Sequence, residues 1–273
     1  MIEELCLLRK KIKKTNPLIH CLTNHITSND CANAVLAVGA KPIMAEHPAE
    51  VEQITLSADA LAINLGNISD SRMQAMLLSG RKAWEHKISC IIDLVGIGCS
   101  ELRLNFARKF IAECRPAVIK GNVSEIRALL ESKSSRGVDV SQLDRQLELK
   151  EITVLAKKTA RQYSCLVLVS GKVDVVADGD KVYFIDNGHP LLASVTGTGC
   201  VLNVLCATFM SSGEVLRGVL LACLLLCLAG ELAAQEAPGP GTFRVQLFDS
   251  LYNLSDAALV QRAKITEVNN EEF

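Results

Sequence analysis

The pentapeptide TGTGC, residues 196–200, places a thiol at a glycine-rich turn that leads into the apolar run VLNVLCATFM, residues 201–210. Gly197 and Gly199 allow backbone conformations that other residues resist, and the first amide groups of a following helix have no partner inside it. Such a helix start attracts phosphate. The motif predicts an anion site with Cys200 beside the reacting group. These five residues alone are equally compatible with a tight helix-entry turn and a buried thiol.

Two carboxylates stand where predicted strands end. Asp93 closes the apolar segment ISCIID, where a buried carboxylate is costly unless it holds a metal or another partner. Glu125 follows Asn122 by three residues in KGNVSE. Two acids at neighbouring strand ends suit Mg²⁺, which takes few protein oxygens and keeps waters and phosphates. Each acid also has a structural explanation, because Asp93 can cap the next turn and Glu125 can be the first-turn acid of a helix.

The segments around these residues alternate between apolar strand-like runs and helical patterns. Continuous apolar runs are typical of strands covered on both faces, so the chain is predicted to be α/β, with a mainly parallel sheet between helices. In such sheets ligands bind beyond the carboxyl ends of the strands, where LGN, DLVGIG, KGNVSE and SGK all fall. The predicted strands lie in residues 16–24, 41–45, 60–66, 88–96, 116–122 and 165–171.

The second half of the chain changes pattern. A polar loop over 132–142 and a long helix over 146–162 precede two alternating strands joined by Asp178-Gly179-Asp180, a hairpin signal. From Gly199 onward the sequence is predicted to be helical, with a loop over 237–243 before the last helix. With no repeat, linker or low-complexity tract, residues 1–273 are interpreted as one domain.

Composition excludes several classes of protein. The 273 residues are 49% hydrophobic and 22% charged with a net charge of −1, which supports neither disorder nor nucleic-acid binding. Eleven scattered cysteines without a CxxC pair or a Cys/His cluster indicate reduced, buried thiols. An amphipathic first segment in place of a leader favours the cytoplasm. The apolar stretch 218–230 is shorter than the roughly 20 residues that span a bilayer, which predicts a buried helix and no membrane partner.

Common nucleotide-binding motifs are missing from the sequence. Gly171-Lys172 is followed by Val173 and lacks the upstream glycine of a phosphate-binding P-loop. No GxGxxG follows the first predicted strand. P-loop enzymes and dinucleotide-dependent dehydrogenases are therefore disfavoured.

Six motifs occur in order along nearly the whole chain. They are HCLTNHITSNDCANAVLAVGAKPIMAE (20–46), INLGN (63–67), DLVGIG (93–98), KGNVSEI (120–126), VTGTGC (195–200) and AGELAAQEAPGPGTFRVQLFDSLYNL (229–254). Together they resemble the hydroxyethylthiazole kinases, a family with the ribokinase-like, three-layer fold. The resemblance implies ATP- and Mg²⁺-dependent phosphorylation of the hydroxyl of 4-methyl-5-(2-hydroxyethyl)thiazole in thiamine biosynthesis. It also implies a homotrimer whose thiazole pockets are each completed by a neighbouring subunit.

The resemblance assigns roles residue by residue. Cys200 stands where ribokinase-like relatives generally carry the aspartate that takes the proton of the alcohol, and a helix start favours the thiolate. Met44 and Gly197 are expected to contact the substrate. Asp93 and Glu125 are expected to organise Mg²⁺, directly or through water. The residues expected to bind ATP are Asn24, Lys120, Ser170 and Gly199.

Several positions depart from the family pattern. Lys120 replaces an arginine and so lacks its planar two-point grip on phosphate. Leu94 replaces a proline, which predicts a less rigid loop. Cys99 replaces an alanine and Asn67 a threonine.

Three other functions remain open from the sequence. A related kinase for a hydroxymethylpyrimidine or a sugar would carry the terminal aspartate and lack the motif over 20–46. A non-catalytic thiazole or nucleotide binder is favoured by Leu94, Asn67 and Lys120. A thiol redox protein is suggested by the cysteine count but not by the cysteine spacing.

Overall fold

The computed structural model describes residues 1–131 and 149–268, and all nine strands in these ranges form one sheet. The strand order is β2-β1-β3-β4-β5-β6-β7-β8-β9. Neighbours from β2 to β6 are parallel, and β6 to β9 are antiparallel. The strands are β1 (Leu18–Leu22), β2 (Lys41–Ile43), β3 (Ala60–Asn64), β4 (Ser89–Asp93), β5 (Val118–Gly121), β6 (Leu166–Val169), β7 (Asp174–Ala177), β8 (Val182–Ile185) and β9 (Ile265–Val268).

Helices cover both faces of this sheet. They are α1 (Ile2–Thr15), α2 (Ser28–Ala37), α3 (Val51–Ser57), α4 (Asp70–Glu85), α5 (Glu101–Cys114), α6 (Val123–Leu130), α7 (Leu149–Tyr163), α8 (Thr198–Met210), α9 (Val215–Glu236), α10 (Pro240–Asn253) and α11 (Asp256–Arg262). Alternate strand residues enter two separate cores, so that Ile91 packs with α1, α2 and α8–α11 while Ile92 packs with α3–α7. The predicted α/β fold with a mainly parallel sheet is confirmed.

Some predicted boundaries were wrong. The segment 237–243 is not all loop, because α10 begins at Pro240, which suits the first helical turn. The chain does not end in helix within the described residues, since Ile265–Val268 forms the edge strand β9. The predicted loop 132–142 lies outside the described residues, as does the start of the helix predicted over 146–162.

The apolar stretch over 218–230 belongs to a longer helix than its composition suggested. At 22 residues, α9 is long and apolar enough to cross a bilayer by length and composition. Of its most apolar 18-residue window, 72% is buried inside the protein, against α8, α10 and the sheet. The prediction of a buried helix is confirmed. The predicted length of thirteen residues is wrong, because the helix has 22 residues.

The parallel strands deliver polar residues to one edge of the sheet. Asn64 and Asp93 are the last residues of β3 and β4 and pair with each other in register. Lys120 lies in β5 opposite Asp93. Asn24 follows β1 by two residues and Ser170 follows β6 directly.

Candidate active site

The glycine-rich turn begins α8 as predicted. Gly197 is the N-cap residue, with φ of 94°, a conformation that favours glycine. A Cβ atom at Gly197 would lie 2.2 Å from Cγ2 of Thr27, so the turn also has no room for a side chain. Cys200 is the third residue of the helix and is buried. The Cys200 thiol therefore lies at a helix N-terminus, as predicted, and under the loop that follows β1.

Two asparagine amides hold the Cys200 sulfur. Asn24 Nδ2 donates to Cys200 Sγ at 3.1 Å, and Asn64 Nδ2 donates to it at 3.4 Å. Each amide is oriented by the main chain of its own loop, because Asn24 Oδ1 accepts from the N–H of Thr27 and Asn64 Oδ1 from that of Gly66. The predicted phosphate ligand Asn24 is thus also a partner of the thiol.

Asp93 and Lys120 form a buried ion pair beside the thiol. Lys120 Nζ lies 2.9 Å from Asp93 Oδ2, with 3% and 1% of the two side chains exposed. Asn64 Nδ2 donates to the same oxygen at 3.0 Å. Lys120 Nζ also lies 3.6 Å from the place of a Cβ on Gly199, so the ammonium reaches the helix start. The second Asp93 oxygen, Oδ1, is buried without a partner.

Glu125 is fixed by main-chain amides. Its Oε1 accepts from the N–H of Gly96 at 2.9 Å, and its Oε2 accepts from that of Asn122 at 2.8 Å, which completes a capping box at the start of α6. The capping explanation of Glu125 is therefore correct. It does not exclude a metal role, because each oxygen retains a lone pair.

The two acids share an environment that favours an added cation. Burial raises the pKa of Asp93, while Lys120 and Asn64 oppose this shift. Burial and the charge of Asp93 raise the pKa of Glu125. The unpartnered Asp93 Oδ1 fits a divalent cation that water and phosphate complete. No group of three or more His, Cys, Asp or Glu side chains that could hold a metal occurs in the described ranges. Mg²⁺ needs only one or two protein carboxylates when water and phosphate complete its shell.

The expectation that the helix start makes Cys200 a thiolate is wrong for the ligand-free chain. Burial raises the pKa of the Cys200 thiol, and the charge of Asp93 raises it further. Hydrogen bonds from Thr27 and Asn64, together with the charge of Lys120, act in the opposite direction without cancelling the shift. Burial is therefore the largest influence on this pKa.

Leu94, in the place of the missing proline, makes two contacts that hold its loop. Its N–H donates to the carbonyl of Lys120 at 2.9 Å, a hydrogen bond that proline cannot make. The leucine side chain is fully buried in the core on the α3–α7 side. These two contacts anchor the loop in the absence of the proline, and its rigidity stays a prediction.

Ser170 and Met44 lie on opposite sides of the hydrogen-bonded group around Cys200. The Ser170 N–H donates to the carbonyl of Gly121 at 2.9 Å, which joins the ends of β5 and β6. Met44 follows edge strand β2, three strands from β4, and is half-buried against the core that contains α8. Both occupy the predicted edge of the sheet, outside the hydrogen-bonded group around Cys200.

Two contributors were missed from the sequence. Asn64 lies inside INLGN, but only its position as the last residue of a parallel strand distinguished it from the other asparagines. Thr27 was not singled out, and no spacing rule connects it with Gly197 or Cys200. Both contacts depend on residues far apart in the chain.

Comparisons with known proteins show the family and the fold of the chain. Residues 9–257 match the hydroxyethylthiazole kinase family. Hydroxyethylthiazole kinase 2 of Clostridium botulinum strain 657 is 46% identical over 261 residues, 94% of this chain and 98% of the relative. The solved structure of a hydroxyethylthiazole kinase from Pyrococcus horikoshii has 32% identity and a TM-score of 0.89, covering 98% of this chain and 100% of that one. A ribokinase-like superfamily protein from Enterococcus faecalis, 13% identical with a TM-score of 0.63 over 89% of each chain, shares the fold.

Proposed function

The chain belongs to the hydroxyethylthiazole kinase family, and from that premise we propose how its own residues phosphorylate a thiazole alcohol. The reaction transfers the γ-phosphoryl group of ATP to the hydroxyl of 4-methyl-5-(2-hydroxyethyl)thiazole, a step of thiamine biosynthesis and salvage. The observation that carries the proposal is the buried group formed by Cys200, Asn24, Asn64, Asp93 and Lys120 at the start of α8.

The nucleotide phosphates are assigned to the first turn of α8. The N–H groups after Gly197, Gly199 among them, face outward at the positive end of the helix dipole. Lys120 supplies a positive charge beside Gly199, and Ser170 supplies a hydroxyl at the end of β6. Asn24 closes the same corner from the loop after β1. The site thus presents donors to an anion from three directions.

Asp93 and Glu125 are the residues that would hold Mg²⁺. When bound, the ion would neutralise charge on the phosphate oxygens. Lys120 already neutralises one oxygen of Asp93, which leaves Oδ1 for the cation.

The thiazole is placed between Met44 and Cys200. A thioether beside an aromatic sulfur heterocycle is a favourable contact. The hydroxyl of the substrate then points at the Cys200 sulfur, beside Gly197, with the γ-phosphoryl group in line beyond it. Phosphoryl transfer depends mainly on such positioning and on charge stabilisation, so a weak proton acceptor is sufficient.

Replacement of the thiol tests this assignment directly. In an assay of ADP release with thiazole alcohol and ATP, Cys200→Asp is expected to retain turnover, because a carboxylate can also accept the proton. Cys200→Ala is expected to lose most of it. Equal rates for wild type and Cys200→Ala would remove the assignment of Cys200 as proton acceptor.

Substrate identity needs a second measurement in the same assay. Competition between the thiazole alcohol and a hydroxymethylpyrimidine separates this function from that of a related ribokinase-like kinase. Binding of thiazole without ADP release would identify a non-catalytic binder.

The assembly is inferred to be a homotrimer with the thiazole pocket at the subunit interface. Exposed apolar side chains lie near the site-forming loop after β1 and on α10, as Ile26 (74% exposed), Val245 (60%) and Tyr252 (66%). We also infer a single domain over 1–273, a cytoplasmic location, and no nucleic-acid or membrane partner.

A further inference from the structure

Asn64 is a fully buried residue whose amide makes three contacts at the end of β3. Its Oδ1 accepts from the N–H of Gly66 at 2.8 Å. Its Nδ2 donates to Asp93 Oδ2 at 3.0 Å and to Cys200 Sγ at 3.4 Å. A primary amide has two N–H donors, and both are used here. Because the N–H of Gly66 can only donate, Oδ1 must face it, and the orientation of the amide follows.

The turn after β3 prevents this amide from rotating. A Cβ on Gly66 would lie 2.8 Å from Asn64 Oδ1 and 2.8 Å from Asn24 Nδ2. The main chain at Gly66 therefore packs directly on both asparagine side chains. Leu65, the residue between Asn64 and Gly66, is fully buried and donates its N–H to the carbonyl of Asp93 at 3.1 Å, which ties the turn to β4.

The geometry points to Asn64 as a positioning residue for phosphoryl transfer. We propose that its amide fixes the Cys200 sulfur relative to the Asp93 carboxylate. One planar side chain then holds both the sulfur, which faces the alcohol, and the carboxylate, which faces the phosphate side. The inference rests on the proposed function, since it needs Cys200 to face the alcohol. It adds a residue that contacts neither substrate in that arrangement.

A positioning role and a structural role of Asn64 predict different kinetics. A buried amide that only stabilises the fold affects unfolding and leaves the chemistry of folded molecules unchanged. An amide that aligns the sulfur affects kcat, and a misplacement of about 1 Å can cost roughly 100-fold. Such an effect also requires the sulfur to be present.

A double-mutant cycle separates the two roles. Asn64→Leu, Cys200→Ala and the double variant are compared by steady-state kinetics with thiazole alcohol and ATP. We expect Asn64→Leu to lower kcat roughly 10- to 100-fold, with KM for each substrate within about threefold of wild type. In the Cys200→Ala background the additional loss should be at least tenfold smaller. If Asn64→Leu lowers kcat by the same factor in the wild-type and Cys200→Ala backgrounds, the inference is overturned.

Asn203→Leu is the matched control. Asn203 is also a fully buried asparagine, lies on α8 three residues after Cys200, and donates to the carbonyl of Ile63 at 3.1 Å. It should lower thermal stability while kcat stays within about threefold of wild type. A loss of kcat like that of Asn64→Leu would show that any buried amide here has this effect and would overturn the specific role of Asn64.

Two further measurements keep the test decisive. If Asn64→Leu does not fold, as judged by circular dichroism, Asn64→Ser replaces it in the same cycle. A crystal structure of the variant without ligands should show the Cys200 side chain displaced, and an unmoved sulfur would count against positioning. Failure of the proposed function is recognised separately, because Cys200→Ala alone would then turn over like wild type.

Discussion

Cys200 is the proposed proton acceptor, but its thiol has a raised pKa. Burial and Asp93 raise the pKa of its thiol, so the ligand-free protein holds a neutral thiol near pH 7. A proton acceptor must first be deprotonated, and a raised pKa means that the thiolate fraction grows as pH rises. The pH dependence of turnover therefore reports this residue.

We expect kcat/KM of the wild type to rise steadily between about pH 7 and 9 without reaching a plateau, because below a raised pKa the thiolate is a minority species whose fraction grows with pH. Cys200→Asp should show a flatter profile there, since a carboxylate is ionised at lower pH. Initial rates at constant ionic strength measure both. Cys99→Ala, which removes an exposed thiol outside the hydrogen-bonded group, should keep the wild-type profile. A flat wild-type profile would contradict thiol deprotonation.

Individual side chains show where sequence reasoning reaches its limit. The positions of Asp93 and Lys120 could be predicted because their motifs fall at the ends of parallel strands, which lie together. The position of Cys200 could be predicted because its glycine-rich motif begins a helix. The contacts of Asn64 and Thr27 could not, because they depend on the exact approach of α8 to the loops after β1 and β3. The protonation of Cys200 was predicted wrongly because the helix dipole is visible in a sequence and depth of burial is not.

The strand that follows the Ser170 turn begins with a buried carboxyl group, that of Asp174. The turn between β6 and β7 carries Ser170 and Gly171, and it is held by Asp174, the first residue of β7. Asp174 Oδ1 accepts from the N–H of Gly171 at 3.0 Å, and its Oδ2 accepts from Cys227 Sγ at 3.7 Å. Burial raises the pKa of Asp174 to about 6. The turn proposed to bind the nucleotide is thus anchored by a carboxyl group whose pKa is raised.

This carboxyl makes stability depend on pH. Since the pKa of Asp174 is higher in the folded than in the unfolded chain, its contribution is fully present below about pH 4 and is lost as pH rises through about 6. The loss reaches about 3 kcal/mol by the 1.36 kcal/mol per pKa unit of the linkage relation. Asp174→Asn, which can still accept from Gly171, should abolish that part of the fall in unfolding free energy. Urea unfolding at pH 4, 5, 6 and 7 measures it.

The hairpin partner Asp178 gives the control for this prediction. It is exposed at the turn between β7 and β8, where it accepts from the N–H groups of Asp180 and Lys181. Asp178→Asn should keep the wild-type fall in stability from pH 4 to 7. Parallel curves for Asp174→Asn and wild type would show that Asp174 does not carry the effect.

Elements were predictable where periodicity and turn chemistry agree. The apolar runs predicted β1 to β6, and Asp178-Gly179 predicted the hairpin of β7 and β8, with Gly179 at φ of 99°. Strand β9 was missed because ITEV has two exposed residues and pairs only with β8, at the edge of the sheet. Its pairing depends on the path of α9 to α11, which local pattern does not reveal.

At the scale of the whole molecule, three of the exposed apolar residues lie in the loop after β1 or on α10, namely Ile26, Val245 and Tyr252. Arg244 on α10 donates to Asp30 on α2 at 2.9 Å, which holds α10 beside the helix that follows the Asn24 loop. Val245 and Tyr252 are seven residues apart on α10, and therefore lie on one helical face. This face of α10 is where the proposed subunit interface can be tested, because apolar surface that a partner covers is typical of interfaces.

Val245→Glu should break the proposed trimer if this face of α10 forms its interface, because the substitution would bury a charge in an apolar contact. Light scattering should fall from about three times the 29.5 kDa chain mass towards that of one chain. If a neighbour completes each thiazole pocket, KM for the thiazole alcohol should rise. KM for ATP should change little, because the proposed ATP site lies on α8 and β4 to β6 of a single chain. Val154→Glu is the matched control, since Val154 is 57% exposed on α7, across the sheet. A wild type that scatters as a monomer, or equal rises of both KM values in Val245→Glu, would contradict a shared pocket.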